Sequence, residues 1–236
     1  MEQIICDNIS IGYDNKSIME NLTFSIKEKD YLCIVGENGA GKSTIMKTIL
    51  GLLPALKGEI KLAGNFTRKD IGYLPQQTVI QKDFPATVSE VVMSGFQSKC
   101  GLRPFYKREE KQKMHKILEK LGISNLQKRC YRELSGGQQQ RVLLGRALCG
   151  TGKMILLDEP VTGLDALATE EMYELIKGLN DDGITIVMIS HDIRSAIKYA
   201  THILYLQNDS YFYGTTLEFI KSDLSEKFAG FIGGHN

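Results

Sequence analysis

Three short apolar runs, each followed at once by polar residues, dominate the hydrophobic pattern of this chain. They occupy residues 31–35, 154–157 and 184–189. Each run is too short for a typical helix and is apolar on both faces, which is typical of the central strands of a covered parallel sheet. In an open α/β sheet the ligand binds at the carboxyl ends of the strands. The polar residues after the runs are therefore expected to converge on one active edge.

Helical periodicity follows each of these runs, as expected of an α/β fold. The predicted helices extend from Lys42 to Leu53, from Ser135 through Leu148, from Leu167 to Leu179, and onward from near Asp192. Residues 1–30 and 58–74 instead show short alternating segments separated by turn residues. This pattern predicts an antiparallel β layer beside the core.

Residues 86–135 are interpreted as an inserted, mostly helical subdomain, because they show helical periodicity around a basic, polar middle. Residues 1–85 and 136–236 then form the core with its β subdomain. The fold class predicted is α/β, with a mostly parallel sheet. At 236 residues, of which 42% are hydrophobic and 24% charged, the chain fits one such domain.

Charge and cysteine usage exclude several classes of protein. The formal net charge of +1 gives no general attraction to nucleic acid or to an acidic membrane. Five cysteines, none spaced as C-x-x-C, argue against a disulfide framework or a zinc site and favour a reducing cytoplasm. The amino terminus lacks the features of a secretory signal, and no apolar run approaches the roughly 18 residues of a membrane-spanning helix. If the protein serves transport, other chains must form the passage.

The first apolar run leads into a segment that fits the phosphate-binding pattern G-x-x-x-x-G-K-[ST]. Its residues are Gly36, Glu37, Asn38, Gly39, Ala40, Gly41, Lys42 and Ser43. The glycines let several backbone N–H groups face one anion, and the following helix adds its positive end. Lys42 supplies a charge for the β- and γ-phosphates, Ser43 a hydroxyl for Mg²⁺, and Thr44 a hydroxyl near the α-phosphate. The segment predicts binding of a nucleoside triphosphate with Mg²⁺.

Carboxylates and a histidine follow the other two runs. Asp158, at the predicted end of a strand, is suited to ordering Mg²⁺. Glu159 can face the γ-phosphate and polarise a water for in-line attack. His191 stands where an imidazole could hydrogen-bond the γ-phosphate.

A second anion site is predicted at residues 134–138, Leu-Ser-Gly-Gly-Gln. Ser135, Gly136 and Gly137 stand at a predicted helix start, where N–H groups and the serine hydroxyl can bind an anion, and Gln138 completes the segment. Of the two predicted anion sites, only the glycine-rich loop that begins at Gly36 is followed by a lysine and a serine, Lys42 and Ser43.

The order of these motifs resembles the nucleotide-binding subunit of ABC transporters over essentially the whole chain. Residues 36–43 are similar to Walker A, residues 134–138 to the LSGGQ signature, and Asp158 with Glu159 to Walker B. The resemblance further implies these roles: Tyr13 stacks on adenine, Gln76 senses Mg²⁺ and the attacking water, Asp165 belongs to the D-loop, and His191 is the switch histidine. Proline often follows the D-loop aspartate in the family, and Ala166 departs from this pattern with little expected consequence for catalysis.

The resemblance also implies partners. In the family, the signature of one copy completes the ATP site of another, so a head-to-tail dimer encloses two nucleotides, closing with ATP and reopening after hydrolysis. A membrane permease and, indirectly, an extracytoplasmic solute-binding protein are implied, with this chain peripheral at the cytoplasmic face and no nucleic acid bound.

The cargo is indicated by one segment only. Residues 84–92 resemble a segment in the ATPases of zinc and manganese importers, which favours import of a divalent metal ion. The segment also fits an ordinary capped helix start, with Thr87 as the cap and Glu90 three residues later. An importer of another small solute and a soluble ABC ATPase acting on nucleic acid or ribosomes stay open as alternatives. A P-loop phosphotransferase would leave the LSGGQ segment without a role.

Overall fold

Strands and helices succeed one another along the chain much as the hydrophobic pattern predicts. The computed structural model describes residues 1–76, 84–97, 103, 105–208 and 210–226. The strands in these residues are β1 (Glu2–Tyr13), β2 (Lys16–Lys27), β3 (Tyr31–Gly36), β4 (Lys57–Leu62), β5 (Ile71–Leu74), β6 (Met154–Asp158), β7 (Thr185–Ile189), β8 (His202–Leu206) and β9 (Tyr211–Thr215). The α-helices are α1 (Lys42–Leu50), α2 (Val88–Met93), α3 (Arg108–Lys120), α4 (Gly136–Gly150), α5 (Ala166–Asp181), α6 (Ile193–Tyr199), α7 (Thr216–Lys221) and α8 (Asp223–Glu226).

The chain divides into two compact units, which are described separately. The first unit comprises Met1–Arg68 and the segment from Asn180 onward, and the second unit is Lys69–Leu179.

An antiparallel sheet in the order β2-β1-β4 occupies the first unit. Along β1, the even-numbered Ile4 and Cys6 are buried, and after them the odd-numbered Ile9 and Ile11. The change of parity coincides with a register shift between Cys6 and Ile9, where Asn8 has a φ of 48°. An extra residue at such a bulge returns the apolar side chains to the buried face. The predicted antiparallel layer is therefore confirmed for β1, β2 and β4. It is wrong for residues 71–74, which form β5 and pair in parallel with β6.

The first unit also contains strands in the order β7-β3-β8-β9. β3 is parallel to both β7 and β8, and β9 is antiparallel to β8. Every residue of β7, and of β3 up to Val35, is buried, as predicted for central strands of a covered sheet. Cys33 lies in this core, and its burial raises the pKa of its thiol far above the ordinary range. It is a core residue, as its apolar neighbours in the sequence predict.

The second unit combines the parallel pair β5 and β6 with helices packed around α4. Buried residues of α4 include Val142 and Leu144. A Cβ at Gly145 would lie 3.0 Å from Leu121 and 3.3 Å from Val92, so these side chains pack closely against the helix. The predicted helical subdomain, residues 86–135, contributes α2 and α3, and its residues 98–102 and 104 lie outside the described part of the chain. The boundaries of that subdomain at 85 and 135 stay a prediction.

The predicted fold class is confirmed: the protein is α/β, with mostly parallel pairing between the strands that lead into the motifs, a separate antiparallel sheet, and helices. Among the described residues, no helix combines the length and the apolar character needed to cross a membrane.

Two glycines give a test of packing in the second unit. A Cβ at Gly95 would lie 2.0 Å from the backbone oxygen of Arg146, so we expect Gly95→Ala to destabilise the protein by about 1–3 kcal/mol. A Cβ at Gly178, in the exposed interior of α5, would meet nothing within 4 Å. Gly178→Ala should therefore stabilise it by about 0.5–1 kcal/mol. Urea unfolding of both variants measures the difference, and equal stabilities would contradict the close approach at Gly95.

Candidate functional site

The phosphate loop begins where β3 ends and continues into α1. Gly36 has a φ of 147°, and a Cβ there would lie 2.1 Å from the backbone oxygen of Leu206 on the neighbouring strand. Gly39 has a φ of 85°, and a Cβ there would meet nothing within 4 Å. The first glycine is thus required by the adjacent strand, whereas the second stands over open space. This is the arrangement that a phosphate group needs in order to approach the backbone.

Lys42 is held against this loop by the loop itself. Its Nζ donates hydrogen bonds to the backbone oxygens of Gly36, at 2.8 Å, and Glu37, at 2.7 Å. The side chain is only 7% exposed, so its charge is fixed in place. Helix α1 begins after Gly41 with no side chain capping it and no acidic residue in its first turn. A fixed ammonium and an uncapped helix start both fit an anionic ligand.

The predicted phosphate-loop residues all lie between the end of β3 and the first turn of α1 in the first unit. They are Gly36, Glu37, Asn38, Gly39, Ala40, Gly41, Lys42, Ser43 and Thr44. Ala40 and Thr44 are buried, and Ser43 is partly exposed.

Tyr13 lies at the end of β1 and is 42% exposed. The hairpin that β1 forms with β2 packs on the start of α1, because a Cβ at Gly41 would lie 3.2 Å from both Ile11 and Ile18. The exposed ring therefore lies in the same unit as the phosphate loop, on an element that contacts it. An exposed aromatic ring can stack on a base, and the adenine role of Tyr13 stays a prediction.

His191 follows β7 at the edge of the first unit where β3 also ends. Ile34 pairs with Ile189, and the backbone N–H of Ser190 donates to the oxygen of Ile34 at 3.1 Å. Parallel pairing thus places His191 and the start of the phosphate loop after neighbouring strands. Asp192 caps α6, accepting a hydrogen bond from the backbone N–H of Arg194 at 2.9 Å. The histidine is exposed and stands between β7 and α6.

In the second unit, Asp158 ends β6 and is only 6% exposed. The hydroxyl of Tyr73, on the adjacent β5, lies 3.5 Å from its Oδ2. Burial, together with the negative charge of Asp158, raises the pKa of Tyr73 to about 12. The tyrosine therefore stays protonated and acts as a donor toward the carboxylate. The sequence analysis missed Tyr73, although the pairing of its strand with the Asp158 strand is what brings it there.

Glu159 accepts hydrogen bonds from two side chains on the same oxygen. The amide Nε2 of Gln76 and the hydroxyl of Thr162 each lie 3.0 Å from its Oε2. Gln76 follows β5 and Glu159 follows β6, and these strands pair in parallel with Leu74 opposite Leu157. Strand pairing therefore brings Gln76 and Glu159 together. Thr162 is a residue that the sequence analysis missed.

The signature segment forms the start of α4 and caps itself. The Oγ of Ser135 accepts from the backbone N–H of Gln138 at 3.3 Å, and the Oε1 of Gln138 accepts from the backbone N–H of Ser135 at 3.1 Å. This is a capping box. Because it engages the amides of Ser135 and Gln138, the amides of Gly136 and Gly137 are the ones that a bound anion would meet at this helix start.

The two signature glycines also pack on the D-loop segment. A Cβ at Gly136 would lie 3.5 Å from Leu164, and one at Gly137 would lie 3.3 Å from Ala168. Asp165 accepts a hydrogen bond from the backbone N–H of Ala168 at 2.8 Å and so holds the start of α5. The absence of side chains at the glycines lets the starts of α4 and α5 approach each other.

Arg141, one turn into α4, links three helices and was not predicted. Its guanidinium donates to Glu171 Oε2 on α5 at 2.6 Å and to the backbone oxygen of Leu121, at the end of α3, at 3.0 Å. It is partly buried, so the contact is protected in part from solvent. No sequence motif predicts this role for Arg141, because its partners come from distant parts of the sequence.

The predicted site residues thus fall into two groups, one in each unit. The first unit holds the phosphate loop with Thr44, Tyr13 and His191. The second unit holds Gln76, Asp158, Glu159, Asp165 and residues 134–138.

Comparisons with known proteins agree with these motifs. The family model described as "ABC transporter" matches residues 19–162. The chain is 36% identical to the manganese transport system ATP-binding protein MntB of Bacillus subtilis, over 89% of this chain and 85% of that protein. It is 36% identical to the zinc transport system ATP-binding protein TroB of Treponema pallidum, over 85% of this chain and 76% of that protein. The zinc uptake system ATP-binding protein ZurA of Listeria monocytogenes is 35% identical, over 93% of this chain and 88% of that protein.

Solved structures share the fold. An ATP-binding cassette of an ABC transporter in its ADP conformation matches with a TM-score of 0.82 at 30% identity, covering 100% of both chains. A nucleotide-free ATP-binding cassette matches with a TM-score of 0.81 at 28% identity, again over 100% of both chains.

The family model covers more than half of this chain, and the relatives match it over most of their own length. The predicted nucleotide-binding family is therefore confirmed. The chain belongs to the ABC transporter family, within which it is an ATP-binding cassette, an ATPase coupled to transport.

Proposed function

We propose that this chain is the ATP-hydrolysing subunit of an import complex that carries a divalent metal ion, manganese or zinc. The cargo is supported by the relatives, which serve manganese or zinc transport systems. The observation that carries the hydrolytic part is the position of Glu159. Its carboxylate follows the buried Asp158 at a strand end and accepts the Gln76 amide at 3.0 Å.

The triphosphate is bound by the loop of residues 36–43 and the start of α1. Lys42 neutralises charge on the β- and γ-phosphates, and Tyr13 stacks on adenine. The chemistry of the donors supports Mg²⁺ as the metal, since the Ser43 hydroxyl, the Asp158 carboxylate and the Gln76 amide oxygen are the hard oxygen ligands that it prefers. Bound Mg²⁺ would offset negative charge on the β- and γ-phosphates during transfer.

Glu159 acts on the attacking water. Its carboxylate orients the water and accepts its proton as the water oxygen bonds to the γ-phosphorus and the bond to the bridging oxygen of ADP breaks. Gln76 positions the carboxylate through the hydrogen bond to Oε2, and His191 donates a hydrogen bond to the γ-phosphate. Thr44 binds near the α-phosphate.

The second anion site serves a second copy of the chain. The amides of Gly136 and Gly137, with Ser135 and Gln138 holding the helix start, bind the γ-phosphate of the ATP on the partner copy in a head-to-tail dimer. ATP then favours the closed dimer and hydrolysis releases it, a population shift driven by differential binding. Membrane permease subunits and an extracytoplasmic binding protein select the metal, which never touches this chain. The chain lies at the cytoplasmic face of the membrane and binds no nucleic acid, in keeping with its net charge of +1.

The role of Glu159 is tested by Glu159→Gln. The amide cannot accept the proton of water, so kcat for ATP hydrolysis should fall about 100-fold or more, while ATP binding is retained and ATP accumulates in a trapped dimer. Phosphate release and size-exclusion chromatography with ATP measure both effects. Glu119→Gln, which alters an exposed carboxylate on α3, should behave as wild type. Normal turnover in Glu159→Gln would remove Glu159 from the role of base.

The head-to-tail arrangement is tested by mixing two inactive variants. Lys42→Ala loses its own phosphate site, and Gly136→Glu places a negative charge at the exposed start of α4, where the partner's phosphate would bind. Each variant alone should be inactive, but the mixed dimer contains one intact composite site. ATP hydrolysis should therefore reappear on mixing. No recovery in a mixture shown to contain the mixed dimer would contradict a site shared between copies.

Partners are tested by purifying the tagged chain from membranes and identifying what accompanies it by mass spectrometry. A permease with a metal-binding lipoprotein is expected, and the complex reconstituted in vesicles should import Mn²⁺ or Zn²⁺ only with ATP. Recovery of ribosomes or DNA-repair factors instead would overturn the transport role. Import of another solute would overturn the metal cargo alone.

A further inference from the structure

Taking Glu159 as the group that activates water, as proposed above, we propose that Thr162 is a positioning residue that holds the Glu159 carboxylate in its reactive orientation. Thr162 itself touches neither water nor phosphate in this role. It acts through the hydrogen bond from its hydroxyl to Glu159 Oε2.

Thr162 makes two hydrogen bonds to Glu159, which lies three residues earlier in the chain. The Thr162 hydroxyl lies 3.0 Å from Glu159 Oε2, and the Thr162 backbone N–H donates to the Glu159 backbone oxygen at 3.2 Å. One residue therefore binds both the side chain and the main chain of the glutamate. Two such bonds across three residues form a closed turn that fixes where the carboxylate points.

Glu159 needs such a restraint because of its backbone. Its φ is 51°, in the left-handed region that residues other than glycine, asparagine and aspartate rarely adopt. A residue keeps that conformation only when its surroundings over-determine it. The bond from the Thr162 N–H to Glu159 supplies part of that restraint, and the hydroxyl bond extends it to the carboxylate.

Gln76 alone does not secure the carboxylate, because its amide has a second task. In the proposed function its oxygen binds Mg²⁺, so one amide serves both the metal and the carboxylate. Thr162 has no such task. Its turn is also secured at the far end, where Asp165 accepts from the backbone N–H of Ala168 at 2.8 Å and starts α5. The threonine thus orients Glu159 independently of Gln76.

Steady-state ATP hydrolysis by the full chain tests the role. Thr162 is exposed, so Thr162→Val removes the hydroxyl with little change of shape and should leave the thermal unfolding midpoint unchanged. We expect kcat to fall about tenfold, because the variant loses the hydrogen bond that orients the charged Glu159 carboxylate. KM for MgATP should stay within about twofold of wild type, because this bond does not contribute to nucleotide binding. Thr162→Ser retains a hydroxyl and should restore most of the rate.

The matched control is Thr169→Val. Thr169 lies seven positions further along, in α5, and its hydroxyl makes no hydrogen bond within the described part of the chain. This variant should keep the wild-type kcat and KM. A tenfold loss in Thr169→Val as well would show that the loss in Thr162→Val reflects general disturbance of this segment, and would overturn the proposal.

A double variant shows whether Thr162 acts through Glu159. In a Glu159→Gln background, adding Thr162→Val should leave the slow residual hydrolysis, followed in a single turnover, unchanged. A further tenfold loss would mean that Thr162 acts elsewhere. Wild-type kcat in Thr162→Val, or no recovery in Thr162→Ser, would also overturn the proposal. Failure of the proposed function is distinguishable, because then Glu159→Gln itself would turn over normally.

Discussion

Parallel pairing between neighbouring strands is the constraint on which both groups of site residues depend. In the first unit, β3 pairs with β7 and β8, so the phosphate loop and His191 begin after adjacent strands. In the second unit, β5 pairs with β6, so Gln76 and Glu159 leave the strands side by side and meet at 3.0 Å. The strands are held by backbone hydrogen bonds in a buried environment, and the chemistry therefore rests on rigid elements.

The two predicted anion sites differ in how their helices begin. Helix α1 starts after Gly41 without a side-chain cap, and Lys42 is held over the loop by two backbone oxygens. Helix α4 starts with a complete capping box between Ser135 and Gln138. The first start is suited to a ligand with strong negative charge, since an anion can accept from the uncapped amides while the ammonium beside them offsets its charge. The second is stable by itself and presents only its two glycine amides, which suits a site completed by another copy.

Glu159, in the second unit, shows how much of a site cannot be inferred from its sequence motif. Asp158 and Glu159 could be singled out from an apolar run that ends in two acids. The φ of 51° at Glu159 and the hydrogen bond from Thr162 could not be predicted, because the sequence motif does not specify the direction of a side chain. Tyr73 and Arg141 were missed for a related reason: their partners, Asp158 and Glu171, are distant in the sequence and become neighbours only when strands and helices pack.

The α/β class, the strands that carry the motifs, the phosphate loop and the family could all be predicted from the amino-acid sequence. These follow from local signals: apolar runs of strand length, glycines at fixed spacing, and a lysine at a helix start. The first helix was predicted to extend from Lys42 to Leu53, whereas α1 ends at Leu50, because Gly51 caps it with a φ of 74°. The folded chain was needed to show which donors meet the Glu159 carboxylate, how α4 is tied to α5 through Arg141, and why Gly36 admits no side chain. Apart from the local bond from Thr162 to Glu159, each of these depends on the approach of segments that are far apart in the chain, and that approach is set by strand pairing and packing.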